Sequence, residues 1–295
     1  MLFSALGHAK ITPDAVKIDV PVYQVGSQEV MPVDETWKID FAWSGFPVGS
    51  MTISGKGNGE NPDAMLGVEI DGRTNAFIDL LWRYRLNARG TILLHPFAPN
   101  QFIITENERR REKVTTIEFA EGSVHSTKLK EGNLEEFRFE SPNTYDIISA
   151  VFLMMHLEYE VGRSYRIDAL TGTSRYLVSV EVEAREEIQV MDRIVEAYRL
   201  VIHTNDLTDP KDNEKHAGTY MWVSTAPPRR MLRAKATTKW GSIYGELVSI
   251  FDSRAPADAP VELFPFGPLP DAGERLRDRR APRPGTPWRG KPRAR

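Results

Sequence analysis

With 295 residues, 41% of them apolar and 27% charged, the chain can fill a sizeable core in one large domain or two modest ones. Its 38 basic residues nearly balance 41 acidic ones, and the C-terminus is strongly basic, so the folded part is not expected to bind a nucleic-acid backbone. Cysteine is absent, which excludes disulfides, thiolate nucleophiles, thiolate zinc sites and iron–sulfur clusters.

Residues 1–9 open the chain with Leu2, Phe3, Ala5 and Leu6 ahead of Gly7-His8-Ala9. This looks like the remnant of a secretory signal, with small residues before a cut after Ala9, although the basic start of such a signal is missing. A chance apolar beginning is the alternative. The expected location is therefore the periplasm or cell envelope if the segment is a signal, and the cytoplasm otherwise. Residues 10–34 read as an extended lead-in broken by Pro13, Pro21 and Pro32.

From Trp37 the pattern changes. Trp37, Ile39, Phe41 and Trp43 alternate with Lys38, Asp40 and Ala42, the period of a strand with one buried face. A turn at Ser44–Gly49 and the alternation of Met51 and Ile53 with Thr52 and Ser54 complete a hairpin. Gly55-Lys56-Gly57-Asn58-Gly59 lacks phosphate-loop spacing and reads as a further hairpin turn. The same alternation recurs around Ile117, Phe137 and Tyr176–Val182, and again over 194–202, 219–223, 231–240 and 242–250. About ten short strands predict an antiparallel sheet, open barrel or sandwich as a mainly β domain over residues 35–251.

One segment departs from this pattern. Asp146–Leu157 is apolar on nearly every side, with Asn143, Thr144 or Asp146 available as a cap. Its Met, Ala and Leu content favours a helix over a buried strand, and such a helix must be covered by the sheet. No apolar run approaches the roughly 18–20 residues of a transmembrane helix. Residues 252–295 carry nine prolines and many arginines, and read as a disordered tail able to lie on an anionic surface.

Chemistry-bearing motifs are scarce. The six histidines show no local metal spacing, and no nucleophile elbow or Ser-x-x-Lys signature appears, so no catalytic or metal residue and no cofactor is assigned. Arg109-Arg110-Arg111 reads as a charged turn. Arg233, Lys235 and Lys239 share one parity on a predicted strand, with Arg230 just before it. They either pair with acids such as Glu181 and Glu183 on neighbouring strands or contact an anionic group. Phe77, Leu81 and Trp82 either fill the core or line an apolar pocket.

The segment from Asp34 to Gly49 resembles the opening strand, glycine turn and second strand of a bacterial family known as domain of unknown function 3108. Arg73–Arg83, Asp146–Phe152, Met221–Ser224 and Gly241–Leu247 resemble further segments of that family, covering about Asp34 to Ile250. Asp34 departs from the glycine usual before the glutamate. The resemblance implies an exported, mainly antiparallel β protein of the bacterial envelope and carries over no catalytic residue. The expectation that follows is a non-enzymatic envelope protein. It would bind an apolar or amphipathic ligand such as a lipid through Phe77, Leu81, Trp82, Arg230, Arg233, Lys235 and Lys239. The alternatives are a scaffold tethered through its basic tail and an enzyme acting on envelope polymers.

Overall fold

A strand whose alternate side chains are apolar can bury only one face, and successive strands of this kind must share that face. The computed structural model describes residues 11–23, 35–57, 65–120, 122–209, 218–238 and 241–252. Fifteen strands form a single sheet. They are β1 (Glu35–Trp43), β2 (Phe46–Gly57), β3 (Met65–Thr74), β4 (Tyr84–Leu94), β5 (Phe97–Glu108), β6 (Arg111–Ala120), β7 (Ser123–Lys130) and β8 (Asn133–Glu140). After β9 (Thr144–Asp146) come β10 (Ser164–Thr171), β11 (Ser174–Val190), β12 (Arg193–Asp206), β13 (Thr219–Ser224), β14 (Met231–Thr238) and β15 (Gly241–Asp252). Two α-helices interrupt them among the described residues, the short α1 (Ala76–Asp79) and α2 (Ile147–His156).

The topology is a meander with one long-range closure. Strands β1 to β8 run outward in order from β1, strands β15 to β9 run outward on its other side, and β1 pairs with β15 in the middle. Every pairing is antiparallel except that of β9 with β10. The mainly β, antiparallel expectation therefore stands, with one parallel exception and more strands than the alternation revealed. Gly55, Lys56 and Gly57 belong to β2 itself, not to a turn. The expected tail and Lys239 lie outside the described residues.

The sheet curls until its two ends overlap. The β10–β11 turn reaches β6 and β7: Ser126 Oγ donates to the Gly172 carbonyl at 2.9 Å, and Lys128 Nζ donates to Thr173 Oγ1 at 3.1 Å. Gly172 has φ +71°, and a Cβ there would sit 2.8 Å from Thr115 Cγ2, so only glycine fits both the turn and the contact. Elsewhere Phe97 on β5 meets Tyr145 on β9 with ring centroids 6.4 Å apart.

Helix α2 sits inside the curl. Its N-cap is Asp146, whose Oδ1 accepts the backbone N–H groups of Ile148 and Ser149 at 2.9 and 3.0 Å. Thr144, another of the candidate caps, instead donates to Asp168. Phe152 and Leu153 are buried, and the Phe152 ring stacks on Trp37 of β1 at 6.3 Å. Burying a side chain of this size contributes about 1.5–3 kcal/mol, so α2 is held by packing more than by its ten-residue length. Among the described residues no helix is long and apolar enough to cross a membrane.

Candidate functional site

The inward face of β1 to β6 does not close fully onto α2. Between them lies a cavity of about 520 Å³. Its wall follows from strand alternation: Ile39 and Phe41 on β1, Met51 and Ile53 on β2, Leu86 and Ala88 on β4, Phe102 and Ile104 on β5. Ile147, Ile148, Val151 and Phe152 form the helical side. Volume and lining fall within the range of small-molecule sites, which are mostly apolar with a few placed polar groups.

Those polar groups stand together where β4, β5 and β6 begin or end. Tyr84 Oη donates to Glu106 Oε1 at 2.9 Å, and Lys113 Nζ pairs with the same carboxylate. Burial, reinforced by the Glu106 charge, raises the Tyr84 phenol far above its ordinary range, so it remains a neutral donor. The indole of Trp82 stacks on Tyr84 at 5.3 Å and donates to Glu108 Oε1 at 2.9 Å. Ile147, 47% exposed although it lines the cavity, marks an opening at the start of α2. The arrangement can hold an apolar chain inside and a polar group beside Tyr84, Glu106 and Lys113.

The residues singled out from sequence are dispersed. Phe77 and Leu81 are each 71% exposed on and after α1, and neither lines the cavity. Trp82 touches the cavity only through Tyr84. Arg230 is buried, with Nη2 at 2.5 Å from Glu35 Oε1, and Trp37 Nε1 donates to the same carboxylate group at 2.8 Å. Arg233 pairs with Glu246 across β14 and β15 at 2.9 Å and borders a separate concavity of about 410 Å³. Lys235 lies over the Tyr244 ring at 5.4 Å. Glu183, considered as a partner for these cations, instead binds Arg199 at 2.7 Å.

The cavity residues Ile70, Tyr84, Leu86, Ile104 and Val151 were not distinguished in the sequence. The spacing of Tyr84, Leu86 and Ala88, and of Phe102, Ile104 and Glu106, is the signal that marks them as sharing a face. A further concavity of about 470 Å³ beside α1 has Arg73, Asn75, Asp79 and Arg85 on its wall together with Phe41 and Pro47. Burial holds the His156 imidazole below its ordinary value; Nδ1 donates to the Phe152 carbonyl and Nε2 has no partner among the described residues. No group of three or more histidine, aspartate or glutamate side chains among the described residues is placed to hold a metal ion.

Fold and cavity together define a curled, mainly antiparallel β-sheet protein with an apolar interior site beneath one helix. The chain belongs to the family described as protein of unknown function DUF3108, whose model matches residues 36–248. Among solved structures it is similar to a beta-barrel-like protein of domain of unknown function DUF1849 from Brucella abortus. That likeness has 10% identity and a TM-score of 0.47, over 74% of this chain and 97% of the other. No curated protein matches it.

Proposed function

We propose that this chain is a non-enzymatic protein of the bacterial envelope that binds an apolar or amphipathic ligand, such as a lipid, in the space between its curled sheet and α2. The observation that carries this reading is the cavity of about 520 Å³, apolar along its length and polar where Tyr84, Glu106 and Lys113 meet. An apolar chain entering it gains the free energy of leaving water, about 25 cal/mol per Å² buried, while its polar group keeps hydrogen-bonding partners. The envelope assignment rests on the signal-like residues 2–9 and on the family resemblance.

Native mass spectrometry of protein purified without detergent tests the ligand. A co-purifying amphipath, displaced by a fluorescent fatty-acid probe, supports the reading. Protein that carries nothing and takes up no probe removes it. Fractionation of cells expressing the full gene tests location separately, since a purely cytoplasmic product would leave only the ligand part standing.

A further inference from the structure

In a meander, hairpin turns alternate between the two ends of the sheet. The β1–β2, β3–β4 and β5–β6 connections therefore share one end, and the Trp43–Ile243 pairing brings the start of β15 to it. This end exposes apolar side chains on several loops at once: Phe46 at 74%, Phe77 and Leu81 at 71%, and Leu80 at 83%. Single exposed apolar residues are ordinary, but a group of large ones on neighbouring loop tips marks an interaction surface. The same end carries Arg83, Arg109 and Arg110, all exposed, none in an ion pair among the described residues. The Arg109 backbone N–H donates to the Arg83 carbonyl at 2.8 Å, which places the β5–β6 turn against the segment that follows α1.

The polar part of the cavity reaches toward this end. Tyr84 is the first residue of β4, Lys113 the third of β6 and Thr171 the last of β10, and all three line it. We infer that this end of the sheet docks on a bilayer containing anionic phospholipid. The loop-tip side chains Phe46, Phe77, Leu80 and Leu81 would enter the interface, and Arg83, Arg109 and Arg110 would meet the phosphates. The inference rests on the proposed ligand reading and adds its source: a molecule too apolar to travel through water passes directly between bilayer and cavity. Charge favours an anionic bilayer over a neutral apolar partner, because the exposed guanidinium groups of Arg83, Arg109 and Arg110 beside the apolar tips gain attraction from phosphates.

The test is co-sedimentation of the full chain with vesicles of phosphatidylcholine alone or with added phosphatidylglycerol. Uptake of a fluorescent fatty acid from detergent-free solution is measured in parallel. Two double variants change only exposed positions, Phe77→Ser with Leu81→Ser and Arg109→Glu with Arg110→Glu, and Phe46→Ser provides a third independent change. The wild type is expected to bind the anionic vesicles, and each double variant to bind them about tenfold or more weakly with uptake from solution unchanged. Equal vesicle binding by wild type and variants, or no binding by the wild type, overturns the docking surface while leaving the ligand site intact. Vesicle binding without probe uptake keeps the surface and removes the loading role.

Discussion

Arg175 Nη2 lies 2.6 Å from Asp168 Oδ2, and both side chains are almost wholly buried. The pair joins distant parts of the chain. Arg175 Nη1 also donates to the Val16 carbonyl at 2.7 Å, its guanidinium lies 4.7 Å from the Phe139 ring centroid, and Asp168 accepts from Thr144 Oγ1 at 2.5 Å. Removing one partner strands a charge in the interior. Asp168→Ala is expected to cost about 3–5 kcal/mol in urea unfolding. The double change Asp168→Leu with Arg175→Met should cost less than the sum of the single changes, because it leaves no orphan charge. Additive costs would show that the pair is not the unit holding this seam.

The closure of the curl depends on the contact between Gly172 and Thr115. Gly132 offers a matched comparison, since it has φ +83° with nothing near its absent Cβ, whereas Gly172 has φ +71° with Thr115 Cγ2 at 2.8 Å. Gly132→Ala is expected to cost about 1 kcal/mol from backbone strain alone. Gly172→Ala should cost about 1–3 kcal/mol more, read as a lower urea midpoint at unchanged slope. Equal effects would mean that the turn does not press on β6.

Much of this architecture is legible in the sequence. Trp37, Ile39 and Phe41 alternate cleanly, and β1 buries Trp37 and Ile39 as that alternation requires. Asp146 before an apolar run announces α2. Strands β4 and β5 were harder to see because a bulge at Thr91/Ile92 and Pro99 interrupt the period. The curl is held by contacts such as Arg175 of β11 over the Phe139 ring of β8, which no local pattern encodes. The cavity escaped for a different reason: alternation identifies an inward side chain but not whether another side chain faces it. The size of Phe77 and Leu81 suggests burial or a pocket, yet α1 is a four-residue helix on a connection, where no second layer among the described residues covers them.

Val151 offers a way to fill the site without disturbing the sheet. It is half-buried on α2 and lines the cavity. A tryptophan there has about 520 Å³ of space beside it. Val151→Trp is expected to weaken probe binding about tenfold or more, with stability unchanged or raised by about 0.5–2 kcal/mol, as for other cavity-filling changes. Fluorescence titration and thermal unfolding check the two halves. Unchanged binding would place the ligand elsewhere.

The last turn of α2 makes the fold sensitive to mild acid through His156. Its Nδ1–H donates to the Phe152 carbonyl at 2.5 Å, its ring lies 6.0 Å from that of Phe97, and Nε2 is buried without a partner among the described residues. Burial, aided by the positive charge of Arg229, holds the folded imidazole below its ordinary value of 6.5, and the Phe152 contact only partly opposes this. On acidification the unfolded chain therefore takes up a proton first. Stability from this residue is complete above about pH 6.5, declines as pH falls toward the lower folded value, and levels off below it. His156→Leu abolishes that slope. The difference in unfolding free energy between wild type and variant is thus expected to be flat at alkaline pH and to shift in favour of the variant from about pH 6.5 downward. Urea titrations across this range measure it. A difference independent of pH would mean that water or a mobile neighbour reaches Nε2 and that the end of α2 is not sealed.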